Sequence, residues 1–367
     1  MRTNNRKFFG APGSRRSFLS GIGAAAVGLT FTDKKIGRAF AATEEKKLNF
    51  YNWDTYIGET TLETFKEGSG IDVNMSLFAT NDELFAKLRA GNPGYDVIVP
   101  GSEFVERLAK AELLVPLDHA KIPNMKNIAP EFITDAPYDP GRKYSMPYTW
   151  LVIGIGYRKS KVKGVPDSWK HVLDSDEYKG RIAVMSDASE LYRHGFKYLG
   201  QSANGATAEL IKKVEAMLVK QKPNIKAFHE DNGQDLLLSG EVDLVMEYNG
   251  DIAQIMAEDE DIGFVVPKEG SLKQADTLCI PKGAPHPENA HAFINHLLDA
   301  KVGAEIYKTI KYPAPNAAAI ALMDDDYTKN PAIFPPADII AKCEYPRYAG
   351  EEITKLLDES LTRLRAD

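Results

Sequence analysis

The chain has 367 residues, 43% hydrophobic and 26% charged, the proportions of a soluble globular protein. That length allows two domains with separate cores, and no internal stretch reaches the roughly 20 consecutive apolar residues of a membrane span. The formal charge is −7, which disfavours nucleic acid as a partner and favours cations.

The first 41 residues read as a removable export signal. Ser14-Arg15-Arg16-Ser17-Phe18-Leu19 precedes a mildly apolar run, residues 21–31, and then the small-residue site Ala39-Phe40-Ala41. The paired arginines resemble a twin-arginine signal, and the expected location is the periplasm. This segment holds eight of the 45 Lys/Arg and one of the 52 Asp/Glu, so its removal leaves 37 against 51 and a formal charge of −14.

Beyond it, strand and helix patterns alternate. Residues 47–53 read as a strand with Leu48 and Phe50 on one face, and 59–66 as a helix stopped by Gly68-Ser69-Gly70. Ile71, Val73 and Met75 alternate as a second strand. Thr80 with Glu83 predicts a capping box for a helix over 82–90, ended by Gly91. Residues 95–100 read as a short buried strand. Further on, 181–185 and 242–246 read as strands, with helices over 191–199 and 206–219 and another starting at 252–257. This alternation predicts mainly parallel sheets flanked by helices. The apolar stretches 148–157 and 262–277 read as two crossings between lobes, which make a hinge. The expected division is 42–152 with 276–322 for one lobe, and 153–275 with 323–367 for the other.

Motifs for catalysis and metal binding are missing from the sequence. The seven histidines are scattered, with no HExxH or CxxC, and no nucleophile elbow or phosphate-binding glycine loop occurs. Cys279 and Cys343 could pair in an oxidising compartment or stay buried as thiols; spacing leaves both open. Asp187 and Glu190, three apart, could form a carboxylate pair on one helix turn, as in a glycosidase, or serve cation binding.

The informative pattern lies at strand ends. Trp53, Asp54 and Tyr56 follow the first strand, Asp187 and Glu190 follow 181–185, and Tyr248 and Asp251 follow 242–246. In open α/β sheets ligands bind outside the carboxyl ends of strands. Each acid alone equally suits a helix N-terminus, but together the acids and aromatics describe a slot for an organic cation. Carboxylates return charge to a desolvated ammonium, and aromatic faces add cation–π attraction while covering methylenes.

The ordered set Phe50-Tyr51-Asn52-Trp53, Tyr95-Asp96-Val97-Ile98-Val99-Pro100, Ser145-Met146-Pro147-Tyr148, Tyr178-Lys179-Gly180, Val266-Pro267-Lys268-Glu269-Gly270 and Tyr312-Pro313-Ala314-Pro315-Asn316 resembles the bacterial spermidine/putrescine-binding proteins of ABC importers, over residues 45–350. The resemblance implies an α/β fold of two lobes, the type II periplasmic-binding-protein architecture, closing by hinge motion. It implies a monomer with no catalytic activity, no cofactor and no metal, which delivers a putrescine- or spermidine-like cation to importer membrane subunits. Under it Trp53 and Tyr56 stack on the ligand and Asp54 makes a polar contact. Asp187, Glu190 and Asp251 recognise amines, Asp276 pairs centrally with one, and Tyr312 adds an aromatic face. Tyr248 stands where the family usually has Trp. Gly101 and Glu103 stand where it offers hydroxyl or aromatic groups, Gln274 replaces a pocket aromatic, and Pro346 falls near a Gln that reaches the far end of longer polyamines. Glu103 and Gln274 are therefore candidates for altered selectivity. The alternatives are a binder of another small cationic solute and a ligand sensor for a membrane receptor; a ferric binder would need a tyrosine pair that the sequence lacks.

Overall fold

The computed structural model describes residues 44–230 and 232–366; the signal read in residues 1–41 lies outside them. Among the described residues nine strands occur: β1 (Lys47–Asn52), β2 (Asp72–Leu77), β3 (Val97–Ile98), β4 (Ser145–Arg158), β5 (Ile182–Met185), β6 (Ile225–His229), β7 (Leu244–Tyr248), β8 (Ile262–Val265) and β9 (Lys273–Cys279). They hydrogen-bond in the order β2-β1-β3-β9-β4-β7-β5-β6, with β8 also on β4.

One strand carries the chain between two sheets. β4 is a nearly unbroken apolar run, buried along almost its whole length, as expected of a strand covered on both faces. From Ser145 to Val152 it pairs with β9; from Ile153 onward it pairs with β7, and from Ile155 with β8. Pro147, which has no N–H to give, sits where the β9 register slips. In the first sheet, β2-β1-β3-β9-β4, only β9 is reversed. In the second, β6-β5-β7-β4-β8, only β4 is reversed. The result is a two-lobed α/β fold with mainly parallel sheets, its hinge crossed by β4 and by the chain running from β8 into β9.

Helices cover both faces of each sheet. On the first, Leu48, Phe50 and Val97 pack with Phe293 and Tyr307 of helices Pro287–Leu297 and Ala300–Ile310. The opposite face carries Leu84 and Leu108 of helices Asn81–Arg89 and Ser102–Lys110. On the second, helices Ala188–Tyr198, Ala208–Gln221 and Glu351–Ala366 supply Tyr192, Val214 and Leu361 to one core. Helix Asn249–Met256 supplies Ile252 and Ile255 to the other. Tyr327, Ala332 and Ile333 belong to the first sheet's core. Buried Asn249 ties the junction: its Oδ1 accepts the Val152 N–H and its Nδ2 donates to the Ala332 and Ile333 carbonyls.

Several elements differ from their predicted form. The strand read at 95–100 contracts to two residues, because Pro100 stops it and Asp96 turns its carboxylate to the Asn49 and His286 N–H groups. Helix Ser102–Lys110 and strand β6 were not anticipated. Thr80 caps Glu83 N as predicted, but Glu83 reaches back to Ala79 N rather than Thr80 N. Asp187 caps Glu190 N in the same way, so its helix begins at Ala188, a turn ahead of the predicted 191. Cys279 is buried, Cys343 half-buried, and both are free thiols. Among the described residues no helix is long and apolar enough to cross a membrane.

Candidate functional site

Asp276 lies mid-way along β9, opposite Thr149 of β4 and bridged on its other side to Gly101. Buried Tyr56 donates its hydroxyl hydrogen to Asp276 Oδ2 at 2.8 Å, and its oxygen also contacts Thr149 Oγ1. Burial, with the Asp276 charge beside it, holds the Tyr56 phenol well above its ordinary range, so it remains a donor. A β-carbon at Gly101 would meet the Asn81 side chain at 3.2 Å and Asp276 Oδ1 at 3.7 Å. Glycine there leaves space beside the carboxylate.

The edge of Tyr56 meets Tyr312, with ring centroids 5.0 Å apart. Tyr312 donates to Asp251 Oδ2 at 2.8 Å. Asp251 stands in the first turn of helix Asn249–Met256, on the second sheet's side, while Tyr312 packs in the first sheet's core. Gly250 allows that approach, since a β-carbon there would lie 2.2 Å from the Tyr312 ring.

Gln274 and Asp276 are two apart on β9 and face the same side. Gln274 Nε2 donates to Glu190 Oε1 at 2.9 Å, and Tyr248, at the end of β7, donates to the same oxygen at 2.7 Å. Burial and the nearby Asp187 charge push the Glu190 carboxyl up to about 8, against these two donors. Asp187 stays open to solvent.

Glu103, in the first turn of helix Ser102–Lys110, pairs with buried Arg193 at 3.0 Å. Burial pushes its carboxyl up to about 7; Arg193 pulls it down and Asp187 raises it again. Trp53 donates its indole N–H to the Val99 carbonyl at 2.9 Å and lies against Phe78. Asp54 sits exposed on the next turn, where Oδ1 accepts the Thr55 N–H; Thr55 takes the left-handed conformation, φ +51°.

The structure thus gathers Tyr56, Asp276, Tyr312 and Asp251 into one chain of contacts, two hydrogen bonds joined by the edge-to-face rings. Glu190, Tyr248 and Gln274 form a second, beside Asp187. Glu103 joins an ion pair, while Trp53 is held on the Val99 carbonyl against Phe78 and Asp54 stays on the surface turn. Thr149, Asn81 and Arg193 were missed. Arg193 stands three residues after Glu190, a spacing that marks one helix face, but its partner comes from a distant helix that spacing cannot reveal.

Chemically, the arrangement presents carboxylates with oriented phenol and amide donors between aromatic walls. The histidine closest in sequence to Glu190, His194, is held neutral by burial, its pKa pushed down to about 3. Among the described residues no group of three His, Cys, Asp or Glu is placed to hold a metal ion.

A profile of the family described as bacterial extracellular solute-binding protein matches residues 60–335. The chain belongs to that family. Its members bind solutes and are not enzymes. Among its relatives, the putrescine-binding periplasmic protein of Escherichia coli strain K12 is 31% identical, over 96% of this chain and 98% of that protein. Spermidine/putrescine-binding periplasmic protein 1 of Haemophilus influenzae is 32% identical, over 92% and 96%. A solved structure titled as a putative spermidine/putrescine ABC transporter from Listeria monocytogenes superposes with a TM-score of 0.83 at 30% identity, covering 88% of this chain and 99% of that one. The two-lobed architecture of this solute-binding protein is therefore that of the periplasmic binding proteins.

Proposed function

We propose that this solute-binding protein captures a polyamine, a putrescine- or spermidine-like cation, between its lobes and delivers it to the membrane subunits of an ABC importer. The observation that carries the reading is the pair of acid clusters joined along one face of β9. Asp276 with Tyr56 stands at one point of the strand; Glu190, held by Gln274, stands two residues away. Spaced carboxylates with aromatic rings between them suit separate ammonium groups linked by methylenes. The names of the relatives point the same way.

In this reading Asp276 takes one ammonium and Glu190, with Asp187, another. Tyr56, Tyr312, Tyr248 and Trp53 wall the slot, Asp251 orients Tyr312, and Asp54 meets ligand or solvent at the rim. The lobes comprise 44–152 with 276–334, and 153–275 with 351–366. Residues 335–350 form a third passage, placed later than the break at 322 read from the sequence because Tyr327, Ala332 and Ile333 are buried with the first core. The protein acts as a monomer in the periplasm, after an N-terminal signal of twin-arginine type directs its export.

A thermal-shift screen tests the class of ligand. A ligand that binds only the folded form at a hundred times its dissociation constant adds about 2.7 kcal/mol of stability. Putrescine, cadaverine, spermidine and agmatine should include at least one that raises the melting temperature, while sugars and neutral amino acids leave it unchanged. A shift with sugars alone would reject the reading.

A further inference from the structure

We infer that Arg193 is a built-in cation that fills the Glu103 end of the site and so restricts the ligand to a diamine. The inference rests on the amine-binding reading above and deepens it.

The geometry begins at Asp276. Gly101 bridges to it, and Glu103 lies two residues further on, at the start of the next helix. Glu103 is therefore the acid reached next from Asp276 along the first lobe. Across from it, helix Ala188–Tyr198 presents Asp187 at its cap, then Glu190, then Arg193 one turn later. An amine extending past Asp276 and Glu190 would reach for Glu103.

That place is already taken. Arg193 Nη2 bonds Glu103 Oε1 at 3.0 Å and the Arg347 carbonyl at 2.9 Å, while Nη1 bonds Asn204 Oδ1 at 3.1 Å. Arg193 is 3% exposed. Its clamp is itself braced: the Arg347 N–H donates to Asn204 Oδ1, and the Arg347 guanidinium bonds Glu106, one helical turn beyond Glu103. A guanidinium held on three sides is not displaced at low cost. A third ammonium of a triamine would meet like charge where it needs an acid. On the amine-binding reading Asp187 and Glu190 take one amine, and Asp276 the other.

Calorimetric titration of the protein with putrescine and spermidine decides it. Wild type should bind the diamine at least about tenfold more tightly, a difference of about 1.4 kcal/mol. Arg193→Met exposes the Glu103 carboxylate to the ligand and should shift the preference toward spermidine by at least about tenfold. The double variant Glu103→Gln/Arg193→Met opens the same space without the acid and should not gain spermidine. Equal binding of both amines by wild type, an equal loss of both in Arg193→Met, or the same gain in the double variant would overturn the inference. Should Arg193→Met fail to fold, Glu103→Gln decides: it leaves the cation uncompensated and should lower spermidine affinity more than putrescine affinity, and an unchanged ratio rejects the role. Wild type that binds neither amine would instead reject the amine-binding reading itself.

Discussion

Tyr56 shows how one buried hydroxyl can set a carboxylate. Its oxygen touches Thr149 and Asp276 together, which fixes one face of the acid. If Asp276 pairs with a desolvated ammonium, Asp276→Asn should weaken amine binding by about 2–5 kcal/mol; unchanged affinity would remove Asp276 from the site. Glu190 and Glu103 add a pH signature. Both carboxyls are raised, to about 8 and about 7, first by burial. A carboxyl raised in the folded state binds protons that the unfolded chain has released. Its contribution to stability is thus complete below the unfolded value near 4.5 and lost as pH rises through 7 to 8. Amine binding needs Glu190 ionised, so it should release protons near neutrality and tighten as pH rises from 6 to 9, by up to about tenfold per unit for each proton released. Titrations in buffers of different ionisation enthalpy would measure that release; a flat pH profile would mean that Glu190 is not a ligand group. At this scale the residue types of the site were legible, since acids and aromatics fell at strand ends. Their pairings were not. Asp187 read either as half of a carboxylate pair or as a helix-end charge, and it caps Glu190 N; the bond of Glu103 to Arg193 could not be read, because long-range partners leave no trace in local spacing.

The elements that shape the site are β4, β9 and the first turns of three helices. The change of partners on β4 between Val152 and Ile153 brings Asp251 of one side to Tyr312 of the other and Glu190 to Gln274. That apolar stretch was legible as a crossing because a strand buried on both faces reads as a continuous hydrophobic run. β6 was not, because Ile225-Lys226-Ala227-Phe228-His229 is largely half-buried and has the mixed composition of a short outer strand. Helix Ser102–Lys110 escaped notice because its N-cap is Gly101, which offers no side-chain cap. Gly250 tests the contact between lobes. A β-carbon at Gly250 would lie 2.2 Å from the Tyr312 ring, so Gly250→Ala must displace that buried ring. It should lower the melting temperature and also weaken ligand binding by at least about tenfold, about 1.4 kcal/mol. Calorimetry and a melting curve of the same preparation would check both halves, and unaltered stability and affinity would show that the helix need not approach Tyr312.

At the scale of the whole molecule the contacts between lobes outline closure. Tyr312 with Asp251, Gln254 with the Ile310 carbonyl, and Glu103 with Arg193 all join elements of the two sheets. A ligand that touches both sides favours the form in which these contacts exist together. Small-angle scattering should therefore show a smaller radius of gyration with a bound amine than without; an identical radius would argue for a rigid site. The decisive measurement is isothermal titration of the protein from residue 42 onward with putrescine, spermidine, cadaverine and agmatine, with Asp276→Asn run in parallel. The account predicts submicromolar binding of a diamine by wild type, a loss of about 2–5 kcal/mol in the variant, and an unchanged fold. No heat with any of the four amines, or equal binding by Asp276→Asn, would contradict it.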